Sequence, residues 1–72
     1  MFYTFRLTLS RSDVLEFYEG SLGAVSVLTE QGLRLQFPFH HLRPFVSFSG
    51  VNGRFRVMID SSNKITRIER IS

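Results

Sequence analysis

Seventy-two residues, 43% of them hydrophobic and 14% aromatic, make one small globular domain with a thin core and exclude a disordered or multidomain chain. With no Cys there is no disulfide staple, no thiolate nucleophile and no Cys-based zinc site, which fits a reducing compartment. Net charge is +3 and eight of the nine basic residues are Arg, which suits planar contact with phosphate or carboxylate, but an excess this small is common in domains with no nucleic-acid role.

No run approaches the roughly 20 apolar residues of a membrane span. The opening MFYTFRLTLS alternates apolar and polar residues around Arg6, unlike a signal peptide. The chain is therefore expected to be a complete, soluble, cytoplasmic protein with a single domain over residues 1–72.

Phe2 to Leu9 reads as a strand, with Tyr3, Phe5, Leu7 and Leu9 on one face and Thr4, Arg6 and Thr8 on the other. Ser10 starts a helix. Ser10 and Asp13 have capping-box spacing, Leu9 and Val14 sit where a hydrophobic staple closes, and Gly20 is placed to end the helix. Val14, Leu15, Phe17 and Tyr18 supply its apolar side. Ala24 to Thr29 and Leu33 to Phe37 read as a hairpin turning at Gln31-Gly32, ended by Pro38. Phe39 to Pro44 is a tight connection with room for at most one helical turn, because Pro44 biases Arg43 away from helical backbone. Phe45 to Ser49 reads as a short strand, Gly50 to Gly53 as a hairpin loop and Arg54 to Ile59 as a strand. Asp60 to Asn63 has turn chemistry. In Lys64 to Ile71, the recurrence of Ile65, Ile68 and Ile71 every three residues also fits a short helix; the β-branched content favours a strand.

The order of the principal elements is β-α-β-β-β-β. This predicts an α+β domain, with one short helix packed on a curved antiparallel sheet that can close toward a barrel.

Few constellations carry chemistry. His40 and His41, adjacent in an extended segment, would point in opposite directions, and a metal needs three or four convergent ligands. No Ser sits in a nucleophile elbow. Asp13, Glu16 and Glu19 read as a solvated acidic stripe. Gly50 to Gly53 lacks the lysine and the following helix of a phosphate cradle. No enzymatic activity, cofactor or metal site is expected.

Two surfaces remain. Arg34, Arg54, Arg56 and Arg67, with Arg70 as a further member, lie on polar strand faces. With Arg43 in the connection, they are the candidate contacts for nucleic acid or another anion. The alternative is an ordinary solvated face in which these side chains pair with Glu30, Asp60 and Glu69. The second surface is aromatic. Phe37, Phe39, Phe45 and Phe48 cannot all be interior on alternation alone. Phe37, Phe45 and Phe55 are expected as core anchors, and Phe39 and Phe48 as candidate protein contacts.

The stretch Leu35 to Phe55 holds five of the eight Phe residues and both Pro. At Phe37-Pro38-Phe39-His40-His41-Leu42-Arg43-Pro44-Phe45-Val46, followed by Gly50-x-x-Gly53-Arg54-Phe55, the chain resembles a family of short, uncharacterised gammaproteobacterial proteins, a domain of unknown function. These proteins share the F-P-x-x-x-L-R-P-F-V core, the G-x-x-G-x-F follow-on and a Y-x-G element like Tyr18-Glu19-Gly20. The resemblance spans nearly the whole chain. It implies a stand-alone cytoplasmic domain and brings no activity with it. The expected function is a non-enzymatic binding or accessory module acting through protein contacts, with a homodimer as one form of that contact. The alternative is RNA or single-stranded nucleic-acid binding through the Arg face. No membrane role is expected.

Overall fold

The computed structural model describes residues 1–20 and 23–72. In chain order it holds strand β1 (Phe2–Leu9), helix α1 (Arg11–Tyr18), strands β2 (Ala24–Leu28) and β3 (Arg34–Pro38), a 3₁₀ segment (Phe39–Phe45), and strands β4 (Val51–Ile59) and β5 (Ile65–Arg70). The strands are antiparallel and form two sheets, β1-β4-β5 and β2-β3. The single curved sheet closing toward a barrel is thus replaced by two sheets and no closed barrel. The β2-β3 hairpin hydrogen-bonds to β1 through its turn.

That meeting is made at Thr4. Thr4 N–H donates to Gln31 Oε1 at 2.9 Å, Gln31 Nε2 donates to Thr4 Oγ1 at 3.0 Å, and Glu30 N–H donates to the Thr4 carbonyl at 2.7 Å. β1 is an edge strand of its sheet, so its outward backbone groups need partners. Two residues of the hairpin turn supply them where a strand was expected to. Thr4 belongs to the polar face by alternation, yet it is buried.

The core lies between the sheets. Phe5 and Phe55 are cross-strand partners and stack with ring centroids 5.6 Å apart. Phe37 reaches Phe5 from the second sheet at 6.1 Å, and Phe45 meets Phe55 edge-on at 5.2 Å. Phe37 and Phe55 are buried as expected, while Phe45 is half-buried against them.

Ser10 caps α1 as its spacing predicts. Its Oγ accepts from Asp13 N–H at 3.1 Å, and its own N–H donates to the Asp13 carboxylate at 3.0 Å. Gly20, at φ 83°, ends the turn after the helix. The expected apolar side is only partly buried. Val14 is in the core and Phe17 packs against it, while Leu15 and Tyr18 face out.

Three boundaries between Pro38 and Arg54 differ from expectation. The helical segment does not stop within one turn of Phe39. It runs seven residues, through Pro44 to Phe45. Phe39, Leu42 and Phe45 recur every three residues, the 3₁₀ repeat, and bring one side of the segment to the core. That burial outweighs the bias Pro44 imposes on Arg43. The strand expected over Phe45 to Ser49 is absent. Ser47 and Gly50 instead exchange N–H···O bonds of 2.8 and 3.0 Å across a turn. The turn replaces the loop expected at Gly50 to Gly53, so β4 begins at Val51, with Gly53 inside it opposite Leu7. Gly50 takes φ 112°, and a Cβ there would run into the Leu9 carbonyl.

The last segment is a strand, and its threefold spacing has a cause. Val57 pairs with Ile68 and Ile59 with Ile65, so three steps on β5 match two on β4, with the register shift at Met58/Ile59. A bulge lets Ile65 and Ile68 face the same side. The turn before it is held by Asp60 Oδ1, which accepts from Ser62 N–H at 2.8 Å and Lys64 N–H at 3.0 Å.

Two stability outcomes follow. Phe55→Ala is expected to cost about 3–5 kcal/mol in urea unfolding, as for other large core truncations. Gln31→Ala is expected to cost about 1–3 kcal/mol because it strands the Thr4 N–H, whereas Gln36→Ala, on an exposed strand position, stays within about 0.5 kcal/mol. Equal effects at Gln31 and Gln36 would show that the Thr4 contact does not hold the sheets together.

Candidate functional site

The arginines do not form one free cationic face. Alternation along β1, β4 and β5 puts Arg6, Arg54, Arg56 and Arg67 on the outer side of the three-stranded sheet, with Arg6 opposite Arg54 and Arg56 opposite Glu69. Arg54 is already claimed: its Nε and Nη2 donate to the Glu30 carboxylate at 3.0 and 2.7 Å. Arg56 and Arg67 share Glu69, at 3.3 and 3.5 Å. Arg34 lies on the other sheet, beside Ser26. Arg43 sits on the 3₁₀ segment, its guanidinium 5.8 Å from the Tyr18 ring centre. Arg70 pairs across from Phe55, and its side chain crosses the face of Gly53 toward the Ser72 carbonyl. The structure therefore gathers Arg54, Arg56 and Arg67 of the expected set, adds Arg6, and leaves out Arg34 and Arg43. Of the expected carboxylate partners, Glu30 and Glu69 take that role. Asp60 is occupied by its own turn.

Like charges directly opposite each other repel, so the Arg6–Arg54 pair needs a counter-charge. Glu30 supplies it from the hairpin turn. Its carboxyl is held below its ordinary value by the hydrogen bond from Arg54, then by Thr4, with the charges of Arg54 and Arg6 contributing further. The contact is open to solvent, with side chains 37% and 38% exposed, so its worth is modest and salt-sensitive.

His40 and His41 do not diverge. The 3₁₀ backbone sets their rings 4.2 Å apart, and His41 also meets Phe37 edge-on at 6.1 Å. Burial, and then the neighbouring His40, hold His41 below its ordinary pKa. Among the described residues no group of three or more His, Cys, Asp or Glu is arranged to hold a metal ion.

The two candidate contact aromatics have separate fates. Phe39 is buried, which corrects its reading as an exposed contact. It stacks on Phe17 at 4.7 Å with rings 6° apart, takes Tyr18 edge-on at 5.5 Å, and so ties α1 to the 3₁₀ segment. Phe48 is 82% exposed. It stands on the Ser47–Gly50 turn, with the Arg11 guanidinium 4.3 Å over its ring. Between this turn and α1 lies a shallow groove of about 180 Å³, lined by Arg11, Val14, Leu15, Tyr18, Val46 and Phe48. Leu15 is 47% exposed and Tyr18 50%. Arg11, Leu15 and Tyr18 share one side of the helix through i, i+4 and i+7 spacing. That spacing was available in the sequence, but four apolar residues in eight read equally well as a core face.

A second concavity, of about 610 Å³, opens at one end between the sheets, where Tyr3, Leu35 and Ile59 lie beside Arg34 and Asp60. Asp60 is engaged in its own turn.

The Glu30 contact predicts a pH effect with a definite sign. A carboxyl lowered in the folded state contributes stability above its unfolded value, near 4.5, and loses it as pH falls through the folded value. Glu30→Gln is therefore expected to be less stable than wild type at about pH 7, with the gap smaller at about pH 3. A gap of equal size at both pH values in urea unfolding would mean that the Glu30 charge plays no part.

No curated protein and no solved structure matches the chain. From residue 1 to residue 71 the chain matches, and so belongs to, the family described as protein of unknown function (DUF2835).

Proposed function

We propose that this chain is a non-enzymatic cytoplasmic binding module that acts through protein contacts at the groove between α1 and the Ser47–Gly50 turn. One observation carries the reading: Phe48 is 82% exposed beside two half-exposed apolar side chains. Contiguous exposed apolar surface next to a groove is what protein-contact sites present. The turn that carries Phe48 is fixed on both sides. Ser47 and Gly50 bond each other's backbone, Ser47 Oγ also donates to the Gly50 carbonyl at 3.1 Å, and Gly50 abuts Leu9. An anchor held in place by its backbone loses little freedom on binding. Arg11 and Arg43, each lying over an aromatic ring, give the groove a polar rim.

Binding of single-stranded nucleic acid through the Arg face is the weaker reading. Two carboxylates already engage three of the guanidinium groups, and among the described residues no exposed ring other than Phe2, beside Arg56, lies next to that face. Single-strand binders combine a free cationic track with stacking platforms.

A photo-crosslinking phenylalanine analogue at position 48, with a control at Ser61, tests the protein-contact reading. Irradiation of cells carrying each variant is expected to give discrete protein adducts from position 48 and none from position 61. Identical adduct patterns from the two positions would overturn it.

A further inference from the structure

We infer that the occupant of this groove is a second copy of the chain, docked about a two-fold axis with the two α1 helices antiparallel. The inference rests on the protein-contact reading and adds the identity of the partner.

The first ground is self-complementarity. A two-fold interface uses the same patch on both protomers, so that patch must carry both a projection and a place to receive it. Here Phe48 projects beside a groove floored by Val14 and Val46. One ring can leave its own rim and rest against the partner's groove while the reciprocal contact forms.

The second ground is charge. Arg11, Leu15 and Glu19 follow one another at intervals of four along the exposed side of α1, and Glu19 is the residue that caps the helix end. The stripe is basic at its start, apolar at its centre and acidic at its end. A two-fold axis through Leu15 exchanges the residue four before it with the residue four after it. Each Arg11 then faces the partner's Glu19, and Leu15 meets Leu15. A parallel arrangement would set Arg11 on Arg11 and Glu19 on Glu19. The helix dipoles also oppose each other favourably in the antiparallel pair.

The same charges weigh against an acidic peptide as occupant. Arg11 and Arg43 would attract one, but Glu16 and Glu19 on the exposed side of α1 would repel it. The surface is bipolar along the helix, which matches itself under rotation better than it matches a ligand of one sign.

Sedimentation equilibrium of the full chain and of four variants tests the proposal. The wild type is expected to approach twice its 8.4 kDa chain mass with rising concentration. Phe48→Ala removes an exposed ring and is expected to raise Kd by roughly 30-fold or more, since both copies of the contact are lost. Arg11→Glu and Glu19→Arg each place two like-charge contacts in the dimer and are expected to raise Kd by roughly tenfold. The double variant R11E/E19R restores opposite charges across the axis and is expected to recover near-wild-type association. Circular dichroism melts of all four, taken dilute enough that the wild type is monomeric, should resemble the wild type, because the three positions are exposed and both charge changes suit the helix dipole.

A wild type that stays monomeric to millimolar concentration overturns the inference, and the position-48 adducts with other proteins would then stand alone. A dimer indifferent to Phe48→Ala, or single charge variants that weaken it without rescue in the double variant, overturns this docking mode.

Discussion

The structure depends on how Thr4 is satisfied. A free edge of a three-stranded sheet, packed against a two-stranded hairpin, leaves backbone groups at the join that water reaches poorly. Thr4 sits there with its N–H, carbonyl and hydroxyl all engaged by Glu30 and Gln31. Leaving such groups unpaired costs more than a single good hydrogen bond returns, so the contact fixes where the hairpin turn lands. With the turn fixed, Phe37 is carried to Phe5, and the aromatic cluster of Phe5, Phe37, Phe45 and Phe55 closes over the space between the sheets.

The same docking decides the electrostatics of the outer sheet. Glu30 precedes Gln31, so setting Gln31 against Thr4 delivers the Glu30 carboxylate to Arg54, two pairs along the β1-β4 ladder. A face that counts as cationic by composition is thereby part-neutralised by a residue from another sheet. On β5, Glu69 does the same for Arg56 and Arg67. Net charge describes the whole chain, whereas a binding face needs unpaired charge in one place. Tertiary pairing removes much of that here.

What the sequence discloses follows the range of the interactions involved. Local rules place β1, the Ser10 cap, the Gln31-Gly32 turn and the Asp60 turn, because each rests on residues a few positions apart. The threefold spacings show the limit. Phe39, Leu42 and Phe45 make a 3₁₀ face, whereas Ile65 and Ile68 make a strand face across a bulge. The same period has two physical origins, and only the partner segment distinguishes them. Phe39 and Phe48 pose the same difficulty at the candidate site. Both lie in the same Phe-rich stretch, and burial separates them because Phe17 lies where it can cover Phe39. The groove was illegible for a related reason: Leu15 and Tyr18 look like core residues until the sheet is seen to reach only Val14 and Phe17.

The exposure of Phe48 is a consequence of backbone constraint and not of leftover space. β4 starts at Val51, which is buried, and its ladder to Leu9 fixes the chain at that point. Gly50 must pack its bare Cα against the Leu9 carbonyl and the start of α1, a contact no side chain permits. The Ser47–Gly50 bonds then close the turn with Phe48 outside the core. Burying Phe48 would require breaking the Ser47–Gly50 pair or withdrawing Val51, and each exchange gives up satisfied backbone or core contacts to cover one ring. Arg11, at the first position of the capped helix, lies over that ring. The capping box that starts α1 and the glycine just before β4 therefore converge on one outcome: an aromatic side chain presented from a fixed turn, beside a helix whose Leu15 and Tyr18 stand half-exposed.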